Sequence, residues 1–208
     1  MKLLELFAGS KSIGKQASKL GIEVFSSDIN NFDGIDYVVD ILNFDVKKIP
    51  FKPDIIWASP PCTSFSVASI GHHWTGGKGA YIPKTDGARL GLKLVEKTIE
   101  IINHFKPKHW FIENPRGVLR KMEIMKDLKR NTVTYCQYGD ERMKPTDIWT
   151  NSELWTPRPM CKNGDLCHVA APRGSRTGTQ GRSNAYERSK IPSQLCEEIL
   201  KSCLKKRK

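Results

Sequence analysis

The chain has 208 residues, with 34 Lys+Arg against 22 Asp+Glu and a formal net charge of +12. At 38% hydrophobic residues it can bury a core, which excludes global disorder, and its length fits one compact domain with at most a small appended lobe. It lacks an apolar stretch of membrane-spanning length, and its six cysteines are too sparse for a disulfide scaffold. We therefore expect a cytoplasmic protein without membrane contact.

The excess positive charge lies after residue 60. Residues 1–60 carry a net charge of −1, whereas residues 61–208 carry +13. Residues 158–190 alone hold seven positive and two negative side chains. Because each phosphate neutralised by a basic side chain releases counterions, this distribution favours a polyanionic partner. A basic surface that serves solubility alone is the alternative.

Short apolar runs alternate with helical patterns over the first 150 residues. The runs predict seven strands, at Leu3–Phe7, Ile22–Ser26, Tyr37–Val39, Asp54–Ala58, His109–Ile112, Thr132–Tyr135 and Asp147–Thr150. Helical spacing predicts helices over 13–20, Arg89–Phe105 and Arg116–Leu128, and a last one opened by Pro192. Strands separated by helices predict an α/β fold with a parallel-rich, doubly wound sheet. The ligand site of such a sheet lies at the carboxyl ends of its strands.

Two segments interrupt this alternation. Ser64–Gly87 contains five glycines, and a loop of that length in a compact domain is usually functional or mobile. Residues 152–190 lack periodicity and are rich in Gly, Pro, Arg, Ser and Thr. We expect an irregular basic insertion there rather than a second domain with its own core.

The first three predicted strands end in residues that suit a nucleotide. The Ala8-Gly9-Ser10 turn lets a ligand approach the backbone, although a tight turn without a ligand would have the same sequence pattern. Asp28 follows Gly9 by 19 residues, the spacing of a carboxylate that accepts ribose hydroxyls. Asp40 ends the third strand, where an acid can receive an adenine amino group. Each acid alone fits a solvated loop, but together they favour an adenosine-containing cofactor.

The next two strand ends carry a candidate catalytic pair. Pro60 and Pro61 stiffen the backbone before Cys62, and positive surroundings favour its thiolate. The following strand ends in Glu113, which places a carboxyl group beside the cysteine. A nucleophile and a proton donor at adjacent strand ends suit covalent catalysis, whereas an isolated cysteine is more often an apolar filler.

The ordered set FAGS, Asp28, PPCTSFS, FIENPRG and a YG-containing strand resembles the DNA (cytosine-5) methyltransferase family, in a compact form like those of phages. The resemblance covers about residues 1–151 and the C-terminal helix. It implies the Rossmann-like sheet of class I S-adenosylmethionine-dependent methyltransferases. It also implies a catalytic core over 1–151, a short basic target-recognition segment over 152–190, and a helix over 191–208 that returns to the core.

S-adenosylmethionine is the implied cofactor. The implied contacts are Phe7, Ala8, Gly9, Ser10, Asp28, Ile29, Asp40, Ile41 and Pro60. The implied partner is double-stranded DNA with a flipped cytosine. Cys62 would attack carbon 6 of the base with assistance from Glu113 at ring nitrogen 3, so that carbon 5 takes the methyl group. The implied DNA contacts are Ser64, Arg142, Lys144, Arg173 and Arg176.

The family resemblance carries further expectations. The Ser64–Gly87 segment is expected to close over the flipped base, with an ordinary surface loop as the alternative. So small a recognition segment predicts short or relaxed sequence specificity. We also expect a monomer in the cytoplasm of a bacterial host.

The sequence departs from the family pattern in three places. Glu113-Asn114-Pro115 replaces the usual ENV, and the family's two arginines after the YG strand fall on Lys144 and Thr146, so Arg142 or Lys144 is expected to substitute. The recognition region is also unusually short. Two alternatives remain open: a tRNA cytosine-5 methyltransferase with the same core, and a catalytically idle nucleic-acid-binding relative. The intact Cys62 and Glu113 argue against idleness.

Three potential zinc ligands occur close together near residue 165. Cys161, Cys167 and His168 lie within eight positions, but no fourth ligand is obvious and the spacing matches no strong template. The sequence therefore assigns no metal ligands and leaves a structural zinc ion open.

Overall fold

The computed structural model describes residues 1–77, 80–162, 164–170 and 184–205. Its strands are β1 (Lys2–Leu6), β2 (Glu23–Asp28), β3 (Tyr37–Val38), β4 (Ile55–Ala58), β5 (Trp74–Gly77), β6 (Ala80–Pro83), β7 (His109–Pro115), β8 (Arg130–Thr134) and β9 (Pro145–Thr150). Seven of them form one sheet in the order β3-β2-β1-β4-β7-β9-β8, and β5 and β6 form a separate antiparallel hairpin.

The helices are α1 (Ser12–Lys19), α2 (Ile70–His73), α3 (Asp86–Phe105), α4 (Ala185–Ser189) and α5 (Ser193–Cys203). Helix α3 begins where the Thr85 hydroxyl accepts a hydrogen bond from the Ala88 amide, a typical N-cap. Helix α1 ends before Gly21, whose φ of +71° suits a residue without a Cβ. Within the described ranges, no helix combines the length and the apolarity that crossing a membrane requires.

Two apolar cores cover the two faces of the sheet. Successive strand residues point to opposite faces, so Leu4 and Ile56 pack with α3, whereas Leu3 and Ile55 pack with α1 and α5. Strands β1 to β4 and β7 are parallel, and β9 runs antiparallel to both of its neighbours, β7 and β8. The expected α/β doubly wound sheet is therefore confirmed.

Two local predictions were wrong. Arg116–Leu128 is not one helix: it forms two short 3₁₀ turns, Val118–Lys121 and Glu123–Met125. Its start is held by a hydrogen bond from the Val118 amide to the Phe65 carbonyl, so tertiary contacts override the helical pattern. Ser64–Gly87 is not one long loop either, because it contains α2 and the β5–β6 hairpin, which the buried indole of Trp74 ties to the Ser64 carbonyl.

A buried carboxyl group lies under the first turn of α1. Glu5 on β1 is 3% exposed and accepts hydrogen bonds from the Ile13 and Gly14 amides, at 3.3 and 3.0 Å. Burial raises the pKa of this carboxyl from 4.5 to about 7, although the two amides oppose the shift. The folded state therefore binds this proton more tightly than the unfolded state does.

We expect Glu5 to make the protein less stable as the pH rises. Its contribution is most favourable below the unfolded pKa near 4.5 and is lost as the pH approaches the folded value near 7. Relative to the wild type, Glu5→Gln should gain roughly 2 to 3 kcal/mol of unfolding free energy between about pH 5 and about pH 8. Urea titrations at both pH values measure this difference.

The matched control is Glu23→Gln, at an exposed residue of β2. It should shift the unfolding free energy equally at both pH values. A Glu5→Gln difference that does not change with pH would contradict the pKa of this buried carboxyl.

Candidate active site

The carboxyl ends of the parallel strands surround a cavity of about 360 Å³. Five of the predicted cofactor residues line it: Phe7, Asp28, Ile29, Asp40 and Ile41. Helix α3 closes the opposite wall with Leu90 and Leu94. The cavity thus combines an apolar interior with two carboxylates, and its volume lies within the range of small-molecule sites.

Asp28 connects the end of β2 to the turn after β1. One carboxylate oxygen accepts the Gly9 amide at 2.9 Å and the other accepts the Asn30 amide at 2.9 Å. The turn bends sharply, with φ of +47° at Gly9 and +55° at Phe7. The Asn30 side-chain amide also donates to Oδ1, at 3.4 Å, so Oδ2 is the oxygen that retains acceptor capacity for a ligand hydroxyl.

The other four predicted cofactor residues adjoin the cavity in sequence but do not line its wall. They are Ala8, Gly9, Ser10 and Pro60. The Gly9 amide donates to the Asp28 carboxylate and so orients it. Ser10 is buried, and its hydroxyl lies 2.8 Å from that of Ser12. A direct cofactor contact from these four residues stays a prediction.

Cys62 follows β4, between two residues that line the cavity, Pro61 and Thr63. Its carbonyl accepts the Phe65 and Ser66 amides, both at 3.0 Å, which fixes the turn. Burial raises the pKa of the Cys62 thiol; the nearby Lys144 ammonium opposes this shift, and Glu113 reinforces it. The thiol therefore lies within the electrostatic field of both side chains.

The carboxyl group of Glu113 on β7 is buried beside this turn. The side chain is 5% exposed, and its Oε1 accepts a hydrogen bond from the Tyr135 hydroxyl at 2.9 Å. Burial, reinforced by the Glu113 charge, raises the Tyr135 pKa well above 10, so the phenol stays a donor. The sequence analysis missed Tyr135, although its place at the end of a predicted strand would have indicated the site edge.

Two contacts hold the Cys62 turn against the end of β7. The Asn114 side-chain amide donates to the Pro60 carbonyl at 2.9 Å, and Ser66 forms an isolated bridge with Gly117. A Cβ at Gly117 would lie 2.0 Å from the Phe65 carbonyl oxygen, so only glycine allows this approach. The Cys62 and Glu113 segments are therefore joined by their backbones.

The predicted DNA contacts lie in different surroundings in the structure. Lys144 lies at the site, where its ammonium is 4.7 Å from the Tyr135 ring centre and 2.9 Å from the Arg188 carbonyl. Burial lowers the pKa of Lys144, whereas the charges of Glu113 and Cys62 raise it. Thr146, on which the second family arginine falls, is fully buried and donates to the Lys144 carbonyl.

The structure gives Arg142 and Ser64 surroundings other than those expected of DNA contacts. Arg142 is 2% exposed and its guanidinium is paired with Asp140, so it lies inside the protein. Ser64 is 4% exposed, and its hydroxyl lines the cavity and packs against Gly91 of α3 instead of facing the protein surface. Arg173 and Arg176 lie outside the described residues.

Comparison with known proteins identifies the family. Residues 1–134 match the family model of the C-5 cytosine-specific DNA methylases. A protein of Frog virus 3 (isolate Goorha) that bears the name of a DNA (cytosine-5)-methyltransferase is 31% identical over 98% of this chain and 100% of its own length. This chain belongs to the C-5 cytosine-specific DNA methylase family. The expected enzyme class is therefore confirmed.

A solved structure supports the fold of this methylase. It is described as a DNA modification methyltransferase encoded within an E. coli prophage, and it superposes with a TM-score of 0.54 over 72% of this chain at 14% identity. The methylase spans about half the length of that protein, since the match covers 46% of it. At this identity the similarity concerns the fold alone.

Proposed function

We propose that this methylase transfers a methyl group from S-adenosylmethionine to carbon 5 of cytosine in double-stranded DNA through a covalent Cys62 adduct. The observation that carries the proposal is the arrangement of Cys62 and the buried Glu113 at neighbouring strand ends, beside a cavity that contains Asp28. Family membership supplies the reaction class, and these residues supply its chemistry.

The residues of the cavity fit S-adenosylmethionine. The carboxylates of Asp28 and Asp40 suit ribose hydroxyls and an adenine amino group, while Phe7 and Ile41 offer apolar surface to the base. When bound, this cofactor supplies an electrophilic methyl group. Because Pro61 and Thr63 line the cavity on either side of Cys62, the methyl donor and the nucleophile would occupy adjoining compartments.

Carbon 5 of cytosine is a weak nucleophile, so the protein must activate the ring. The Cys62 thiolate bonds to carbon 6 while the Glu113 carboxyl donates a proton to ring nitrogen 3, which makes carbon 5 enamine-like. After methylation a base removes the carbon 5 proton and the carbon 6–sulfur bond breaks. This step returns the thiolate to Cys62, and ring nitrogen 3 gives its proton back to the Glu113 carboxylate. The Tyr135 hydroxyl orients Glu113, and the Lys144 ammonium favours the thiolate.

The described residues on either side of 171–183 are held beside the proposed site, which supports a role of this basic stretch in DNA binding. Before this stretch, the Val169 amide donates to the Glu141 carbonyl at 2.9 Å; after it, Arg188 meets Lys144. Both anchors lie in or against the β8–β9 connection at the site edge. Arg173 and Arg176 belong to this stretch, and we propose that they contact phosphates while Lys144 reaches the flipped cytosine.

Labelled methyl transfer to duplex DNA and to tRNA in parallel tests the proposed function. We expect label in DNA at carbon 5 of cytosine, at a short or relaxed sequence that base-resolved mapping of the product identifies. Incorporation should fall steeply with salt because phosphate contacts release counterions. Label confined to tRNA would favour an RNA substrate, and cofactor binding without transfer to either would favour an idle relative. The monomeric state and the bacterial cytoplasm stay predictions.

A further inference from the structure

A cluster of sulfur and nitrogen donors lies outside the proposed catalytic site. Cys136, Cys161, Cys167 and His168 each offer a ligand atom, and these four atoms all lie within 4.8 Å of one another. All six cysteines of the chain are free thiols, and three of them gather here. We propose that this cluster binds a structural zinc ion.

Three of the separations between the donor atoms are close to those of a tetrahedral zinc site. With ordinary zinc–ligand bonds, two sulfurs would be about 3.8 Å apart and a sulfur and a nitrogen about 3.6 Å apart. The Cys136 and Cys167 sulfurs are 3.6 Å apart, and the His168 Nδ1 atom is 3.8 Å from the Cys161 sulfur and 3.6 Å from that of Cys167. The Cys136–Cys161 separation, 3.1 Å, is the shortest.

The donors come from separate parts of the fold that local structure holds in place. Cys136 belongs to the 3₁₀ turn Tyr135–Tyr138, which directly follows β8. The Cys161 amide donates to the Thr134 hydroxyl at 3.0 Å, which fixes that residue at the end of the same strand. The chain then turns at Gly164, with φ of +93°, and brings Cys167 and His168 back to the first two ligands.

The environment favours a closed zinc site. Three thiols and one imidazole form the Cys₃His set of structural zinc centres, and soft thiolates select zinc over magnesium or calcium. The Gln137 side-chain amide lies 3.4 Å from the Cys167 sulfur, where it can donate to a thiolate. A disulfide between Cys136 and Cys161 would involve two of the four donors and would not explain why Cys167 and His168 also lie beside them. The four-donor arrangement therefore favours a metal.

The zinc ion would hold Cys167 and His168, which shortly precede the basic stretch 171–183, against the 3₁₀ turn beside the proposed catalytic site. His168 precedes residue 171 by three positions, and Cys136 directly follows Tyr135, which binds Glu113. One 3₁₀ turn therefore contacts both the proposed general acid and the proposed metal. The sequence analysis found three of the four ligands and missed Cys136, because 25 residues separate it from Cys161.

Metal analysis of the purified full-length protein tests the proposal. We expect one equivalent of zinc per chain in the wild type and loss of most of it in Cys167→Ser and His168→Asn, which change the two less buried ligands. Cys203→Ser, at a buried cysteine outside the cluster, is the matched control and should retain the zinc. Cobalt substitution should give the absorption bands of a tetrahedral thiolate site in the wild type and the control, and weakened bands in the two variants.

A thermal measurement separates metal loss from misfolding. Chelation should lower the melting temperature of the wild type by several degrees and leave that of Cys167→Ser unchanged, because the variant has no zinc to lose. The proposal is overturned if the reduced wild type binds neither zinc nor cobalt in stoichiometric amount, if Cys167→Ser retains the full metal content, or if peptide mapping finds a Cys136–Cys161 disulfide. None of these outcomes depends on methyl transfer.

Discussion

Replacing Cys62 by alanine should abolish methyl transfer and leave S-adenosylmethionine binding near the wild-type level. The sulfur forms the bond to carbon 6 that activates the ring, so its removal eliminates the covalent route. Cofactor binding should survive because Pro61 and Thr63 line the cavity, whereas Cys62 does not. Labelled methyl transfer measures the first effect, and calorimetric titration of the cofactor measures the second.

Cys203→Ala is the control for Cys62→Ala. Cys203 lies in α5, is 4% exposed and belongs to the core on the far side of the sheet. Its replacement should lower stability and leave turnover unchanged. DNA that carries 5-fluorocytosine adds a direct measurement, because fluorine at carbon 5 cannot be removed as a proton and the adduct should persist through denaturation in the wild type alone. Turnover by Cys62→Ala would refute the covalent mechanism.

Changing Glu113 to glutamine should slow methyl transfer by about two to four orders of magnitude, the usual cost of losing a general acid. The amide keeps the shape of the side chain and can still accept the Tyr135 hydrogen bond, so the fold should be preserved. It cannot donate an acidic proton to ring nitrogen 3. Single-turnover rates at saturating DNA and cofactor report this step without interference from product release.

Glu123→Gln provides the comparison for Glu113→Gln. Its carboxylate is exposed on a 3₁₀ turn and pairs with Lys126, away from the cavity and from Cys62. The same chemical change there should leave the single-turnover rate within about twofold of the wild type, as expected for an exposed ion pair. A Glu113→Gln rate equally close to that of the wild type would exclude this residue as the proton donor.

The sheet could be predicted because its signal is local. Buried parallel strands are short continuous apolar runs, and all seven predicted runs lie in the observed sheet with small shifts at their ends. The same reasoning placed Asp28, Asp40, Cys62 and Glu113 at the ends of those strands, and their roles stay predictions. The 116–128 helix failed because its helical pattern competes with a hydrogen bond to Phe65, a residue more than 50 positions away.

Several side-chain pairings at and near the site were not foreseen from the sequence. Arg142 looks like a free cation in the sequence, yet Asp140, two positions earlier, binds its guanidinium inside the protein. Tyr135 acquires its role from Glu113 on a strand that is not its immediate neighbour in the sheet. Cys136 becomes a ligand when residues after β9 return to it. The Tyr135 and Cys136 cases require a tertiary contact, whereas the partner of Arg142 is local in sequence.

The direction of β9 determines where the chain can accept inserted residues without disturbing the sheet. Because β9 starts at the site edge and runs antiparallel, the chain leaves it at the opposite edge and returns along residues 151–160 to reach Cys161. Val169, before residues 171–183, and Arg188, after them, are therefore both held beside the same edge. The closure cost of a loop grows only slowly with its length. Insertions between these two residues would therefore add chain beside the proposed site while every strand of the sheet keeps its register.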